Sequence, residues 1–247
     1  MRATWTSFRP CSGRTWIVAH RGASTRYRES SPEAFESAIK RGVDAIETDV
    51  RRTADGVFVC HHDETLRRTA KVERAIADLT LAELSNLAPD YTQPLVQVLA
   101  RLRGRCNVLL DLKLNGEDDI DALVGLLEAS GIDDTVAVGV RSLRTHALLL
   151  RRSPELVQLG LLGNPEEALS FAEAGGKWIR YWEHEVTAAR VAASHALGVP
   201  VLVMVGGDGV GRSVGEIEAW RVPLLLASGA DGLMLNEPSI AIAAHKP

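Results

Sequence analysis

Eight short apolar runs recur along the chain, and each is followed by a segment with helical signals. The runs lie at 16–20, 45–50, 108–112, 136–140, 157–162, 178–181, 200–205 and 232–235. Apolar runs of this length, without polar alternation, read as strands covered on both faces, as in a parallel sheet. The segments between them carry start and stop residues. Ser31-Pro32 opens a helix whose apolar stripe is Ala34, Phe35, Ala38 and Ile39, and Gly42 ends it. Thr80 with Glu83 three residues later forms a capping box for 80–87. Further helices are expected at 94–102, 118–129, 143–151, 165–174, 188–197, 216–228 (interrupted by Pro223) and 239–245. Such alternation over 247 residues is the pattern of a (β/α)8 TIM-type barrel of the α/β class. A doubly wound open sheet has the same periodicity, because periodicity does not show closure. Residues 15–247 read as a single domain, and residues 1–14, which lack periodicity, as a loose N-terminal arm.

One excursion breaks the alternation. After strand two, 51–54 continues extended, Asp55-Gly56 is a hairpin turn, and 57–61 runs back. This β-hairpin returns His61 and His62 to the level of Asp49. Adjacent residues on an extended arm face opposite ways, so only one of the two histidines can enter a site there. The expectation is His62.

Composition removes several partner classes. A formal net charge of −4 offers no basic field for nucleic acid. No apolar run approaches the length of a membrane span, and no signal-peptide core precedes the first strand. Cys11, Cys60 and Cys106 show no metal or disulfide spacing, which suits a reducing compartment and a cytoplasmic address. The helices carry apolar outer positions that could serve a homodimer, but no patch stands out.

The polar residues of the strands cluster at their C-terminal ends, where a parallel barrel builds its site. His20 ends strand one, Glu47 and Asp49 strand two, and Asp111 and Lys113 strand three. Residues two apart share a face, so each pair points one way. Three carboxylates on one mouth repel unless a cation joins them, and a hard divalent ion, Mg²⁺ or Ca²⁺, takes oxygen ligands. The competing reading gives each carboxylate a private ion pair with Arg21, Lys113 or Arg51. His20 and His62 can exchange protons near neutral pH. Arg21 and Lys113 then suit an anionic substrate oxygen. Gly22 would let the backbone pass close to a ligand, or simply make a turn. The assembly favours phosphoryl chemistry on a small molecule.

The same residues resemble the glycerophosphodiester phosphodiesterase family. The likeness runs through HRG at 20–22, Glu29-Ser30-Ser31, PEAF at 32–35, IETDVRRTADG at 46–56, HDETLRRT at 62–69 and DLK at 111–113. It ends with GADG at 229–232 and Asn236-Glu237-Pro238. The resemblance implies a barrel with Glu47, Asp49 and Asp111 as metal ligands. It implies His20 and His62 as the acid/base pair and Arg21 and Lys113 as phosphate contacts. It also implies attack by a glycerol 2-hydroxyl, a cyclic phosphate opened by water, and release of glycerol 3-phosphate and an alcohol. The chain departs from the family pattern at Asp111, where Glu is usual, and at Met204-Val205, where Trp-Thr is usual. Trp182 is a candidate to replace the missing aromatic face. Arg141 stands where a neutral residue is common; it could meet an acidic headgroup, but the favoured reading is a side chain solvated at the rim. Gly206–Gly211 (GGDGVG) could cradle a phosphate, but it lacks the Lys-Ser/Thr of a P-loop and reads as a mobile loop. Two other functions fit the same residues: a lipid-active, lysophospholipase D-like phosphodiesterase, and a barrel that binds a phosphorylated ligand without turnover.

Overall fold

The computed structural model describes residues 3–8, 15–131 and 134–244. Its strands are β1 (Trp16–His20), β2 (Ala45–Arg52), β3 (Phe58–Cys60), β4 (Asn107–Leu112), β5 (Val136–Val140), β6 (Val157–Gly160), β7 (Trp178–Trp182), β8 (Val201–Met204) and β9 (Gly232–Leu235). They form one sheet in the order β1-β9-β8-β7-β6-β5-β4-β2-β3, and β1 also pairs with β2. That last pairing closes the ring. The eight barrel strands are parallel, while β3 is antiparallel to β2 and lies outside the ring. The open-sheet alternative is thereby excluded.

Helices cover the outside. The first, α1 (Pro32–Arg41), starts as its sequence dictates: Ser31 Oγ accepts from Ala34 N, and Gly42 caps the far end in the left-handed region. The capping box at Thr80 is likewise formed ahead of a helix at Leu81–Leu87. The 216–228 segment differs from expectation. Its helix runs only Val222–Ala227 after a 3-10 turn at Ala219–Arg221, and Pro223 sits in the first turn, where its missing N–H costs nothing. The final helix runs Pro238–Ala244, and His245 lies outside the described residues.

Alternation sorts the strand residues into two cores. Outward-facing Ile17, Ile46, Leu110, Val138, Ile179, Val203 and Leu233 pack under the helices. Inward-facing Val18, Ala45, Leu109, Leu159, Trp178 and Leu202 fill the barrel interior. A satellite core of Val59, Leu66, Ile76, Leu79 and Leu84 supports the excursion after β3.

The arm expected to be loose is not, where it is described. Trp5 is 1% exposed and packs with Phe8 against Trp16 and Trp178, the Trp5–Trp16 ring centroids being 4.7 Å apart. The indole N–H of Trp5 is 3.1 Å from the carbonyls of Val108 and Thr135, and that of Trp178 donates to Trp5 O. Aromatic bulk, with the indole N–H groups of Trp5 and Trp178 satisfied and that of Trp16 left without a partner among the described residues, plugs the N-terminal end of the barrel. An irregular segment has no period to betray such packing. Cys11 and the rest of 9–14 lie outside the described residues.

Candidate active site

The open end of the barrel is a cavity of about 570 Å³ lined by His20, Arg21, Glu47, His62, Asp111 and Lys113, among others. Every site residue named from the sequence therefore reaches one mouth except Asp49, which is buried just behind its wall. Asp49 and Asp111 are register partners on β2 and β4, so their side chains stand side by side. Ligand oxygens of Glu47, Asp49 and Asp111 all lie within 4.8 Å of one another, and all three residues are buried.

Cations meet these carboxylates unequally. Lys113 Nζ is 2.8 Å from Asp49 Oδ1 and 2.6 Å from Asp111 Oδ2. Arg21 Nε stands 3.0 Å from Asp49 Oδ2, yet out of line for a hydrogen bond to it. The private pairs of the competing reading thus exist for Asp49 and Asp111. Arg51 takes no part; its guanidinium donates to the backbone carbonyl of His62 and so fixes the hairpin arm. Among the described residues, Glu47 receives only the backbone N–H of Arg21, at 3.1 Å, and the ring of His20 at 3.9 Å. Burial, together with the charges of Asp49 and Asp111, pushes the Glu47 carboxyl well above the usual carboxylate range. Burial also opposes ionisation of Asp49, but Lys113 and Arg21 outweigh it and hold that group well below its ordinary value. A buried carboxyl that resists ionisation beside two carboxylates is a position a divalent cation would relieve. The donor set, all oxygen, suits a hard ion.

The loop after β1 is shaped to serve this cluster. Arg21 adopts φ 55, a left-handed conformation uncommon for residues other than glycine, which presents both its backbone N–H and its guanidinium to β2. At Gly22 (φ 81) an added Cβ would lie 2.8 Å from Ala34 of α1. Its smallness therefore serves packing against the helix, not approach to a ligand.

The two histidines differ. His20 Nδ1 lies 2.7 Å from Asn236 Oδ1, and the same amide donates from Nδ2 to Val214 O at 2.8 Å. The second bond orients the amide, so its oxygen accepts from His20 Nδ1–H and leaves Nε2 with a lone pair. A Cβ at Gly215 (φ 83) would fall 2.1 Å from Asn236 Oδ1, so only glycine leaves room for this arrangement. Burial and the neighbouring Arg21 push the imidazole of His20 down to about 4, keeping it neutral. His62 is more open; its Nδ1 pairs with Asp63 Oδ1 at 2.6 Å. His61 turns away, buried beside Tyr91, its N–H opposite the Asp49 carbonyl. Hairpin alternation anticipated that division.

Some residues stand elsewhere than expected. Arg141, expected to be solvated, clamps Asp111 with Nε at 2.9 Å and Nη2 at 2.5 Å, although its side chain remains 49% exposed. The GGDGVG stretch is anchored: the buried Glu183 accepts from Gly206 N and pairs with Arg212 and Arg221. Trp182 does line the cavity, beside its register partner Met204. Asn236 was named only as part of the closing motif and follows β9 directly, while Arg180 was not named although it lies at the inward parity of β7.

Residues 20–123 match the glycerophosphoryl diester phosphodiesterase family model. The first half of the barrel thus carries the signature of this family. A probable glycerophosphodiester phosphodiesterase 1 of Mycobacterium tuberculosis is 43% identical over 76 residues, which is 31% of this chain and 28% of that protein. The curated relatives it matches first are thus aligned over less than a third of their length. The family fold extends much further. A putative glycerophosphoryl diester phosphodiesterase of Silicibacter pomeroyi superposes with TM-score 0.81 at 20% identity, covering 96% of this chain and 94% of that one. An Oleispira antarctica phosphodiesterase, solved in complex with the product sn-glycerol-3-phosphate, superposes with TM-score 0.79 at 21% identity over 98% and 99%. The matched range 20–123 includes the acidic trio, His20, His62, Arg21 and Lys113.

Proposed function

We propose that the chain, as a single barrel domain over residues 15–247, hydrolyses glycerophosphodiesters to glycerol 3-phosphate and an alcohol. The observation that carries the proposal is the buried trio Glu47, Asp49 and Asp111 at the end of the barrel where His20 and His62 line the cavity. The trio would hold one divalent cation, Mg²⁺ or Ca²⁺, which when bound supplies positive charge to a phosphoryl oxygen. Lys113 and Arg21, already beside the trio, orient the phosphate. His20, neutral and with Nε2 free, takes the proton of the glycerol 2-hydroxyl as that oxygen attacks phosphorus. His62 delivers a proton to the leaving alkoxide, its ring held by Asp63. Water then opens the cyclic phosphate with the two roles reversed. Among the described residues no helix is long and apolar enough to cross a membrane. The buried free thiols of Cys60 and Cys106 support a cytoplasmic setting.

Release of glycerol 3-phosphate from glycerophosphocholine, followed by an enzyme-coupled assay with Mg²⁺ or Ca²⁺ and then with EDTA, tests this. Activity should appear with metal and vanish with chelator. Full activity in EDTA would remove the metal from the proposal, and no release under either metal would remove the activity.

A further inference from the structure

Most cations lining the mouth have a carboxylate partner. Arg21 pairs with Glu29 and Asp49, Arg68 with Glu29 and Asp63, Lys113 with Asp49 and Asp111, and Arg141 with Asp111. Arg180 differs. It is 5% exposed, and among the described residues no side chain hydrogen-bonds it and its Nη1 has no partner. Its guanidinium instead rests 4.4 Å over the ring of Trp182. Burial lowers its pKa only to about 10, so it remains a cation at neutral pH. Glu185 and Asp111 help it through space, while Arg141 repels it.

Position explains why no carboxylate among the described residues forms an ion pair with this charge. Trp178, Arg180 and Trp182 alternate along β7, with Trp178 in the barrel interior, so Arg180 points inward too. In the ring, β8, β9 and β1 separate β7 from β2 on one side, and β6, β5 and β4 on the other. Arg180 thus stands across the barrel from Glu47 and Asp49. The cavity lining also includes Leu161, Trp182, Met204 and Met234, which supply no counter-charge. Burying an unpaired guanidinium is costly, and a site that retains one is built for a ligand that completes the pair.

We propose that Arg180, backed by the face of Trp182, forms a subsite for a second anionic group on the substrate, a carboxylate or a phosphate monoester. This group is separate from the phosphate that reacts at the acidic trio, and the inference rests on that placement. A planar fork held by an aromatic face suits either anion. An anion bound there would also relieve the repulsion between Arg180 and Arg141.

Binding separates this inference from turnover. Isothermal titration in Mg²⁺ with glycerol 3-phosphate, 3-phosphoglycerate and glycerol 1,3-bisphosphate compares one anionic group with two. In the wild type, at least one two-anion probe should bind at least tenfold more tightly than glycerol 3-phosphate. A gain confined to 3-phosphoglycerate identifies a carboxylate, and one confined to the bisphosphate identifies a phosphate. In Arg180→Met the gap should shrink to within twofold, with a thermal melt confirming folding. If that variant does not fold, Arg180→Lys is read instead; it keeps the charge, loses the fork and should narrow the gap. Equal affinity for all three probes in the wild type overturns the inference, as does an unchanged gap in the folded variant. A preserved gap without hydrolysis of any glycerophosphodiester sinks the proposed activity and leaves the subsite standing.

Discussion

The two ends of the barrel use the same eight strands and the same inward parity for opposite purposes. At the closed end, inward residues are aromatic and aliphatic: Trp16, Ala45, Trp178 and Leu202 meet Trp5 and Phe8 of the arm. At the open end, two to four residues along the same strands, they are His20, Glu47, Asp49, Arg180 and Trp182. The closed end buries large apolar area and carries no ionisable side chain in its packed cluster. The open end holds carboxylates and cations in mutual compensation, where the gain from each pair is offset by desolvation. The contrast teaches where stability and function reside. Substitutions at the plug should move stability, and substitutions at the mouth should move activity while leaving the fold nearly untouched.

The largest effect expected from this division is catalytic. His20→Ala and His62→Ala should each lower turnover on glycerophosphocholine by roughly a hundredfold or more, the usual cost of losing a general acid or base. Their melting temperatures should stay near that of the parent. His61→Ala should retain most activity, since its ring faces Tyr91. An inactive His61 variant beside an active His62 variant would exchange their roles.

At the other end, Trp178→Ala should cost about 3–5 kcal/mol, the range for deleting a buried large aromatic side chain. Chemical denaturation would measure it, and the metal-loaded protein should keep its turnover per folded molecule. A fall in turnover matching that at His20 would show that the ends are not separable. Asn236→Leu is smaller. Losing one hydrogen bond that fixes a ring is worth about 1.4 kcal/mol, or roughly tenfold in turnover. The test is whether kcat falls while KM holds.

Much of the open end was legible in the sequence because its signals are local. His20, Glu47, Asp49, Asp111 and Lys113 are polar residues at the ends of apolar runs, and a two-residue period assigns their faces without tertiary knowledge. The hairpin likewise fixed His62 against His61 by parity. What escaped depends on distant partners. Trp5 is buried by Trp16 and Trp178, residues far from it in sequence, and its own segment has no period. Arg141 looked like a rim charge because nothing near it in sequence announces Asp111, 30 positions away. Arg180 carried a signal that went unused: it lies between two inward tryptophans.

The smallest effect concerns pH in the metal-free protein, and there two neighbours at the mouth pull opposite ways. His20 has a folded-state value lowered from 6.5 to about 4, so the unfolded chain binds more protons between those values. Its contribution to stability is present above pH 6.5 and lost as pH falls toward 4. Glu47 has a folded-state value raised above 4.5, so the folded chain binds more protons there, and its contribution is lost as pH rises through that window. Their slopes partly cancel in the parent. Melting curves from pH 4 to 7 in chelator should therefore rise less with pH in His20→Gln than in the parent, and more in Glu47→Gln. The Glu47 variant should also be no less stable than the parent at neutral pH, because it removes a buried carboxyl that lacks a cation of its own. Equal slopes in all three proteins would mean that the mouth is wet enough to cancel both shifts, and the contrast between a dry plug and a dry, charged rim would then fail at the rim.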